Sequence, residues 1–140
     1  MSLARGNILL KIAGILMILG AALSIILGVI GVVGMILYAD DPAFNSAGPL
    51  PMIAAVIAVV GGILQLIAGI IGLKNSDYPE KAVTCIIWGF IVLVVNIVDQ
   101  IISNIDSSST SLTNTIFGIV ISITLPILYL VGAFLNKRSA

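Results

Sequence analysis

The chain has 140 residues, of which 60% are apolar and only 9% are charged. Six cations and six acids cannot cover a domain whose whole surface meets water, so the sequence predicts an integral membrane protein. This composition excludes a soluble enzyme and a nucleic-acid binder with a basic face, and the single cysteine excludes a disulfide-stapled secreted module.

The apolar residues are gathered into four long segments. A hydrocarbon core about 30 Å thick needs about 20 helical residues at a rise of about 1.5 Å each. Each charge-free segment is long enough for one such helix, and we predict spans at residues 12–38, 50–73, 82–105 and 113–135. Because the connections are short, successive helices are expected to be antiparallel neighbours. The predicted fold is therefore all-α, a single transmembrane domain over residues 1–140 that forms an up-down-up-down four-helix bundle.

The first segment has one alternative interpretation, a cleaved signal peptide. Arg5 and Lys11 precede it, and Gly20-Ala21-Ala22 offers the small residues that a signal peptidase needs. Signal peptides have short apolar regions, whereas this apolar run continues as far as Ile36. The sequence therefore favours a first span that is retained.

The basic residues predict the orientation of the spans. They fall before the first span, between the second and third, and after the fourth: Arg5, Lys11, Lys74, Lys81, Lys137 and Arg138. Lys and Arg in short flanking segments are retained on the cytoplasmic side of a membrane. The other two connections contain acids instead, Asp40, Asp41 and Asp106. Both termini are therefore predicted to be cytoplasmic.

Small residues recur at steps of three or four in the first two spans, which aligns them along one face of each helix. The face of the first span contains Gly20, Ser24, Gly28 and Gly31, and that of the second contains Ala54, Ala58, Gly62, Gln65, Gly69 and Gly72. Because helices in lipid associate through close backbone approach at such residues, we expect the two faces to meet within the bundle. The alternative is that they form a contact between protomers.

A polar stripe, Asn96, Asp99, Gln100 and Ser103, lies along one face of the third predicted span. A charge inside a bilayer is costly and usually faces protein or water, which makes Asp99 a candidate functional residue. One interpretation is that Asp99 caps a hydrated outer end while the two amides bond to neighbouring helices. The sharper hypothesis makes the stripe a wall of an outward-facing cavity, a path for a cation or proton. Gln65 is then its counterpart on the second span, although it can instead bond within the bundle.

Two single residues in the spans, Pro126 and Cys85, allow predictions about their immediate surroundings. Pro126 lies inside the fourth span and deprives the carbonyl of Ser122 of its helical donor, which predicts a kink there. Cys85 is interpreted as a small buried hydrophobic residue, with palmitoylation as the alternative.

Several kinds of chemistry require residues that this sequence lacks. With no histidine and one cysteine, it offers no metal-ligand cluster, no redox cysteine pair and no Ser-His or Cys-His nucleophilic pair. An aspartyl intramembrane protease needs two facing acids, and only Asp99 qualifies. We therefore expect no enzymatic activity, no cofactor and no metal site.

The central hairpin carries a family resemblance. Residues 68–75 are Ala-Gly-Ile-Ile-Gly-Leu-Lys-Asn, residues 79–82 are Pro-Glu-Lys-Ala, and residues 85–89 are Cys-Ile-Ile-Trp-Gly. This segment, about a fifth of the chain, resembles the central hairpin of small uncharacterised bacterial four-span membrane proteins. The resemblance implies a location in a cytoplasmic membrane of bacterial type and implies no particular activity.

These observations lead to one preferred function and one alternative. The sequence favours a structural or accessory role in the lipid bilayer, through helix-helix contact with itself or with a larger membrane-protein partner. The alternative is a small channel or transporter subunit that uses the polar stripe as its path. One protomer is too small for a wide pore, so that alternative requires a homo-oligomer. Nucleic acid is not an expected partner.

Overall fold

The computed structural model describes residues 2–46, 48–105 and 111–138. These residues form helices and no strand: α1 (Ser2–Leu37), the one-turn α2 (Pro42–Asn45), α3 (Leu50–Asn75), a 3-10 turn (Pro79–Lys81), α4 (Ala82–Ile105) and α5 (Leu112–Arg138). Asp106, which the orientation argument uses, and the polar loop that follows it lie outside the described residues.

Four of these helices are long and apolar enough to cross a membrane. The corresponding segments are Gly6–Leu37, Leu50–Asn75, Pro79–Ile105 and Leu112–Arg138. The prediction of an all-helical, multi-pass membrane protein with four spans is therefore confirmed.

Helix α1 begins at Ser2, well before the predicted start at residue 12. The prediction placed the start where the last charge ends, but a helix needs only an unbroken run of helix-compatible residues, and Lys11 does not interrupt one. With 36 residues, α1 is about 54 Å long at 1.5 Å per residue, which exceeds a hydrocarbon core of about 30 Å. The helix must therefore tilt or extend beyond the lipid.

The connection between α1 and α3 is built from turn-forming residues. The backbone N–H of Ala43 donates to Oδ1 of Asp41 at 2.9 Å, which caps the single turn of α2. Gly48 has φ of +68°, a left-handed conformation that glycine adopts without strain. Proline at the start of α3 removes no helical hydrogen bond, because the first N–H groups of a helix have no partner within it.

The four long helices form a closed ring in which α1 and α4 each pack against α3 and α5. Neighbouring helices run in opposite directions. On α1 and α3, Gly14 faces Gly69 whereas Gly28 faces Val59. On α4 and α5, Gly89 faces Leu130, whereas Asn96, which is later in α4, contacts Ser122, which is earlier in α5.

The two halves of the bundle are packed differently. The core is formed by residues from all four long helices: Leu10, Ala13, Met17, Ala68, Cys85, Val92, Tyr129 and Ala133. All of them lie in the half that contains both termini and the α3–α4 connection, which we name the packed half. The opposite half contains no buried residue at positions 29–43, 46, 48–60, 93–105 and 111–125. We name these residues the open half.

Candidate functional site

The structure brings the small-residue faces of α1 and α3 together. A methyl group placed on Gly28 would lie 2.7 Å from Cγ2 of Val59, and one on Gly62 would lie 2.7 Å from Cγ1 of Ile25. Such distances leave no room for a side chain, so the glycines permit the two backbones to approach. Gly69 makes the same kind of contact with Gly14, where the methyl position is 2.9 Å from a backbone oxygen.

Polar side chains join the same two helices. Ser24 Oγ on α1 donates to the carbonyl oxygen of Ala58 at 3.0 Å. Gln65 Nε2 on α3 donates to the carbonyl oxygen of Met17 at 3.1 Å, and the side chain passes beside Gly20. Gln65 therefore bonds to α1.

Gly72 does not face α1, as the sequence pattern suggested, but receives the ring of Tyr129 from α5. The ring fits against Gly72 because glycine has no side chain, and the Tyr129 hydroxyl donates to the carbonyl oxygen of Ala68 at 2.7 Å. Tyr129 is fully buried and is the largest side chain in the core. Sequence reasoning missed this link, and the available signal was a tyrosine placed well inside an apolar span.

The stripe on α4 begins with a bond to the helix that contains Pro126. Asn96 Nδ2 donates to the carbonyl oxygen of Ser122 on α5, at 3.4 Å. Proline at position 126 has no N–H, so this carbonyl lacks its usual helical donor. Asn96 supplies a replacement, which makes it a link between α4 and α5.

The remaining amides of α4 also lie toward α5 or along α4 itself. The Oε1 atom of Gln100 lies 3.7 Å from where a methyl group on Gly118 would be. Asn104 Nδ2 donates to the backbone carbonyl of Gln100 at 2.6 Å, while Ser103 is exposed. The four stripe residues therefore do not converge on one common partner.

Asp99 stands apart from these bonded side chains. It lies seven residues beyond Val92 and fourteen beyond Cys85, both of them buried, so it continues the interior line of α4 into the open half. Its side chain is partly exposed. The one ion pair within the described residues joins Lys11 to Asp77, so Asp99 has no ion-pair partner there.

A polar network closes the packed half at the α3–α4 connection. Oδ1 of Asp77 accepts hydrogen bonds from Lys11 Nζ at 2.9 Å and from Asn7 Nδ2 at 2.7 Å. These two donors, the lysine first, hold the pKa of the Asp77 carboxyl below its ordinary value. Asn136 Nδ2 donates to the carbonyl oxygen of Ser76 at 3.0 Å, and both residues are buried. Helices α1 and α5 are therefore both hydrogen-bonded to the α3–α4 connection.

Cys85 is fully buried in the core, with Sγ 3.9 Å from the carbonyl oxygen of Ile71. Palmitoylation needs an accessible thiol, so the structure favours the other interpretation, a small hydrophobic core residue.

Two grooves run between helices of the open half. The α4–α5 groove has a volume of about 370 Å³ and is lined by Ile97, Gln100, Ile101, Asn104, Ile105, Thr115, Ile119 and Ile123. The α3–α4 groove has a volume of about 280 Å³ and is lined by Val56, Ile57, Val60, Val94, Val95 and Val98. Neither lining contains a charged residue, and only the first contains polar side chains.

Across the described part of the chain, no three His, Cys, Asp or Glu side chains are grouped closely enough to hold a metal ion. Comparison with protein-family models, with curated proteins and with solved structures finds no match to this chain.

Proposed function

We propose that this integral membrane protein has a structural or accessory role, exerted through helix-helix contact with a second copy or with a larger membrane protein. We further propose that it is not an enzyme. The observation that carries the proposal is that polar side chains within the spans form hydrogen bonds between helices. Ser24, Gln65, Asn96 and Tyr129 each donate to a backbone carbonyl of another helix.

These bonds support the proposal because polar groups in lipid are costly unless they are satisfied within the protein. In each case the side chain links two helices through a backbone carbonyl. These polar residues of the spans thus stabilise the contacts between the helices of the bundle.

The outer surface of the helices supports the same role. On α1 it consists of large apolar side chains, among them Leu19, Leu23, Leu27 and Ile30, each at least 59% exposed. In a bilayer this surface contacts lipid or the apolar surface of another membrane helix. Between Leu19 and Ile30 this surface contains no charged side chain that could bind a soluble partner.

We propose a cytoplasmic membrane of bacterial type as the location, with both termini in the cytoplasm. The exposed cations Lys74, Lys81, Lys137 and Arg138 lie at the end of the packed half. The exposed acids Asp40 and Asp41 lie at the end of the open half. Cations flanking the spans are retained on the cytoplasmic side, and this distribution supports an orientation with the open half outside.

Site-specific photo-crosslinking in native membranes tests the accessory role. A photoreactive amino acid replaces one exposed residue at a time, Leu23 on α1, Val94 on α4 or Phe117 on α5, and the buried Met17 serves as the matched control. We expect one discrete adduct, a dimer or one recurring partner, from one helix face and none from Met17. Monomer from every position, or an identical smear from all of them, contradicts the role.

A second candidate function is an oligomeric channel or transporter subunit, and the partly exposed Asp99 is the observation that favours it. An acid on the interior line of a span, without an ion-pair partner among the described residues, is typical of ion and proton pathways. Flux through vesicles containing the purified protein tests this candidate. Loss of flux in Asp99→Asn, with flux retained in Thr84→Val on the same helix, supports it. Absence of flux in the unaltered protein contradicts it.

A further inference from the structure

Exposed cations are concentrated at the end of the packed half. Within the described residues they are Lys74, Lys81, Lys137 and Arg138. The one ion pair of the described part joins Lys11 to Asp77, so no acid of that part neutralises these four side chains. Glu80 is exposed at the same end and leaves it with a net positive charge. Residues 29–60 and 93–125, toward the other end, include no lysine or arginine, so an anion is attracted to one end of the bundle only.

Two of these cations, Lys81 and Lys137, lie where α4 begins and α5 ends, and we name them the basic junction. Lys81 ends the 3-10 turn, which packs against α5. Lys137 lies seven residues beyond Leu130, which faces Gly89, so it continues the line of α5 that faces α4. The preceding residue, Asn136, is hydrogen-bonded to the α3–α4 connection, which holds this end of α5 beside the 3-10 turn.

The side chain of Lys81 is held in place by an aromatic ring. Its Nζ atom lies 4.9 Å from the centre of the Tyr78 ring, and its backbone N–H donates to the carbonyl oxygen of Tyr78 at 2.9 Å. A cation over the face of a ring is attracted to it, and the N–H groups that point away from the ring remain donors for an anion. Because this side chain is already ordered, binding through it costs less conformational entropy than binding through a mobile lysine.

The basic junction lies at the level of the lipid headgroups. Lys81 and Lys137 are in the first and last turns of the segments Pro79–Ile105 and Leu112–Arg138. Cations at the ends of spans extend toward the headgroups, where phosphate groups are the available anions. Trp88 is partly exposed and lies seven residues beyond Lys81, about 10 Å deeper on nearly the same side of the span. A lipid whose phosphate is bound at the junction therefore has its acyl chains at the depth of Trp88.

We infer that the basic junction binds the phosphate group of one anionic phospholipid from the surrounding leaflet, with the ammonium groups of Lys81 and Lys137 as donors. The net positive charge of this end favours a headgroup without a cation of its own over a zwitterionic headgroup. A lipid held there contacts both α4 and α5. The site requires only that the protein lies in a membrane, and it does not depend on the accessory role proposed above.

Quenching of tryptophan fluorescence by brominated lipids tests the site, because Trp88 is the one tryptophan of the chain. Bromine on an acyl chain quenches only an indole ring close to it. The purified protein is reconstituted into vesicles of phosphatidylglycerol and phosphatidylcholine, with bromine on the acyl chains of one lipid or of the other. We expect phosphatidylglycerol to be preferred beside Trp88 by about five-fold or more, as expected for a cation at the membrane surface.

Charge-matched variants separate the junction from the general charge of this end. Lys81→Gln combined with Lys137→Gln should reduce the preference to about two-fold or less. Lys74→Gln combined with Arg138→Gln removes the same charge and should retain more than half of the preference. Tyr78→Leu removes the ring beneath the Lys81 ammonium group without changing the charge, and it should give an intermediate preference.

Circular dichroism of each variant shows whether the helices are intact. If the variant that lacks both lysines of the junction loses helical content, the comparison of Tyr78→Leu with the unaltered protein decides the question. Equal quenching by the two brominated lipids in the unaltered protein overturns the inference, as does an equal loss of preference in the two charge-matched variants. Loss of the preference on addition of inorganic phosphate at constant ionic strength assigns the junction to a soluble anion and also overturns it.

Discussion

The side-chain amide of Asn96 on α4 donates a hydrogen bond to the backbone carbonyl of Ser122 on α5, with 3.4 Å between Nδ2 and O. Pro126, four residues further along α5, has no N–H with which to satisfy that carbonyl. A proline defect in one helix is thus compensated by an amide from its neighbour. Asn96 and Pro126 are therefore coupled through one oxygen atom.

This coupling is measurable with a double-mutant cycle. Asn96→Leu should lower the free energy of unfolding by about 1 kcal/mol, because it removes an interhelical hydrogen bond in lipid. In a Pro126→Ala background, residue 126 again has an N–H that can donate to the carbonyl of Ser122. Asn96→Leu should therefore lower the free energy of unfolding by less in that background. The measurement is reversible unfolding in mixed micelles of mild detergent and dodecyl sulfate. Strict additivity of the two substitutions contradicts the coupling.

The contact between Gly72 and the Tyr129 ring predicts that the free energy of unfolding depends strongly on the size of the residue at position 72. Gly72→Ala places a methyl group into the ring, and we expect a loss of about 1–3 kcal/mol in the free energy of unfolding. Gly34→Ala is the matched control, since nothing lies within 4 Å of the added methyl group. That control should be neutral or stabilising by up to about 1 kcal/mol, as expected for Gly→Ala in a helix. Equal effects at the two positions would show that Tyr129 does not pack as described.

Asp77 should make the stability of the packed half depend on pH. The pKa of this carboxyl is held below its ordinary value of 3.8 by its hydrogen bonds with Lys11 and Asn7. A carboxyl whose pKa is lower in the folded state stabilises the fold at pH values above its pKa in the unfolded chain. This contribution is lost as the pH falls through the pKa of the folded state. We expect the melting temperature to fall between about pH 5 and about pH 2, and to fall less in Asp77→Asn.

Lys11→Gln should reduce the same acid dependence, because it removes the donor that contributes most to the lowered pKa of Asp77. Identical pH profiles for Asp77→Asn and the unaltered protein would refute the role of Asp77.

The orientation can be measured by labelling introduced cysteines from outside the cell. Cys85 is buried and is replaced by alanine to give a background without thiols. Ser76 is an unsuitable reporter because it is fully buried, whereas Tyr78 in the same connection is 50% exposed. With cytoplasmic termini, Ser46→Cys should react with an impermeant maleimide and Tyr78→Cys should react only after the membrane is permeabilised. The reverse pattern would invert the orientation.

The number and type of helices follow from local properties of the chain. Each span needs only a sufficient length of apolar residues without charge, and this can be counted along the sequence. The predicted limits 82–105 coincide with those of α4, Ala82–Ile105. The early start of α1 departs from its predicted limit because a helix continues through Lys11, which does not interrupt the run of helix-compatible residues.

The partners of the polar side chains depend on which helices are adjacent and how each is rotated about its axis. Gln65 and Gly72 share one predicted face of α3, but the first bonds to α1 and the second receives a tyrosine from α5. Helical spacing determines which residues share a face, but in lipid no difference in polarity selects the helix that a face will meet.

Composition and charge distribution were enough to establish a four-span membrane protein, because the cost of placing polar groups in hydrocarbon acts on each segment independently. The division into a packed and an open half, the compensation of Pro126 by Asn96 and the α4–α5 groove required the assembled bundle. These features arise where side chains from distant parts of the chain meet, and the fit between such surfaces has no signature in any single segment.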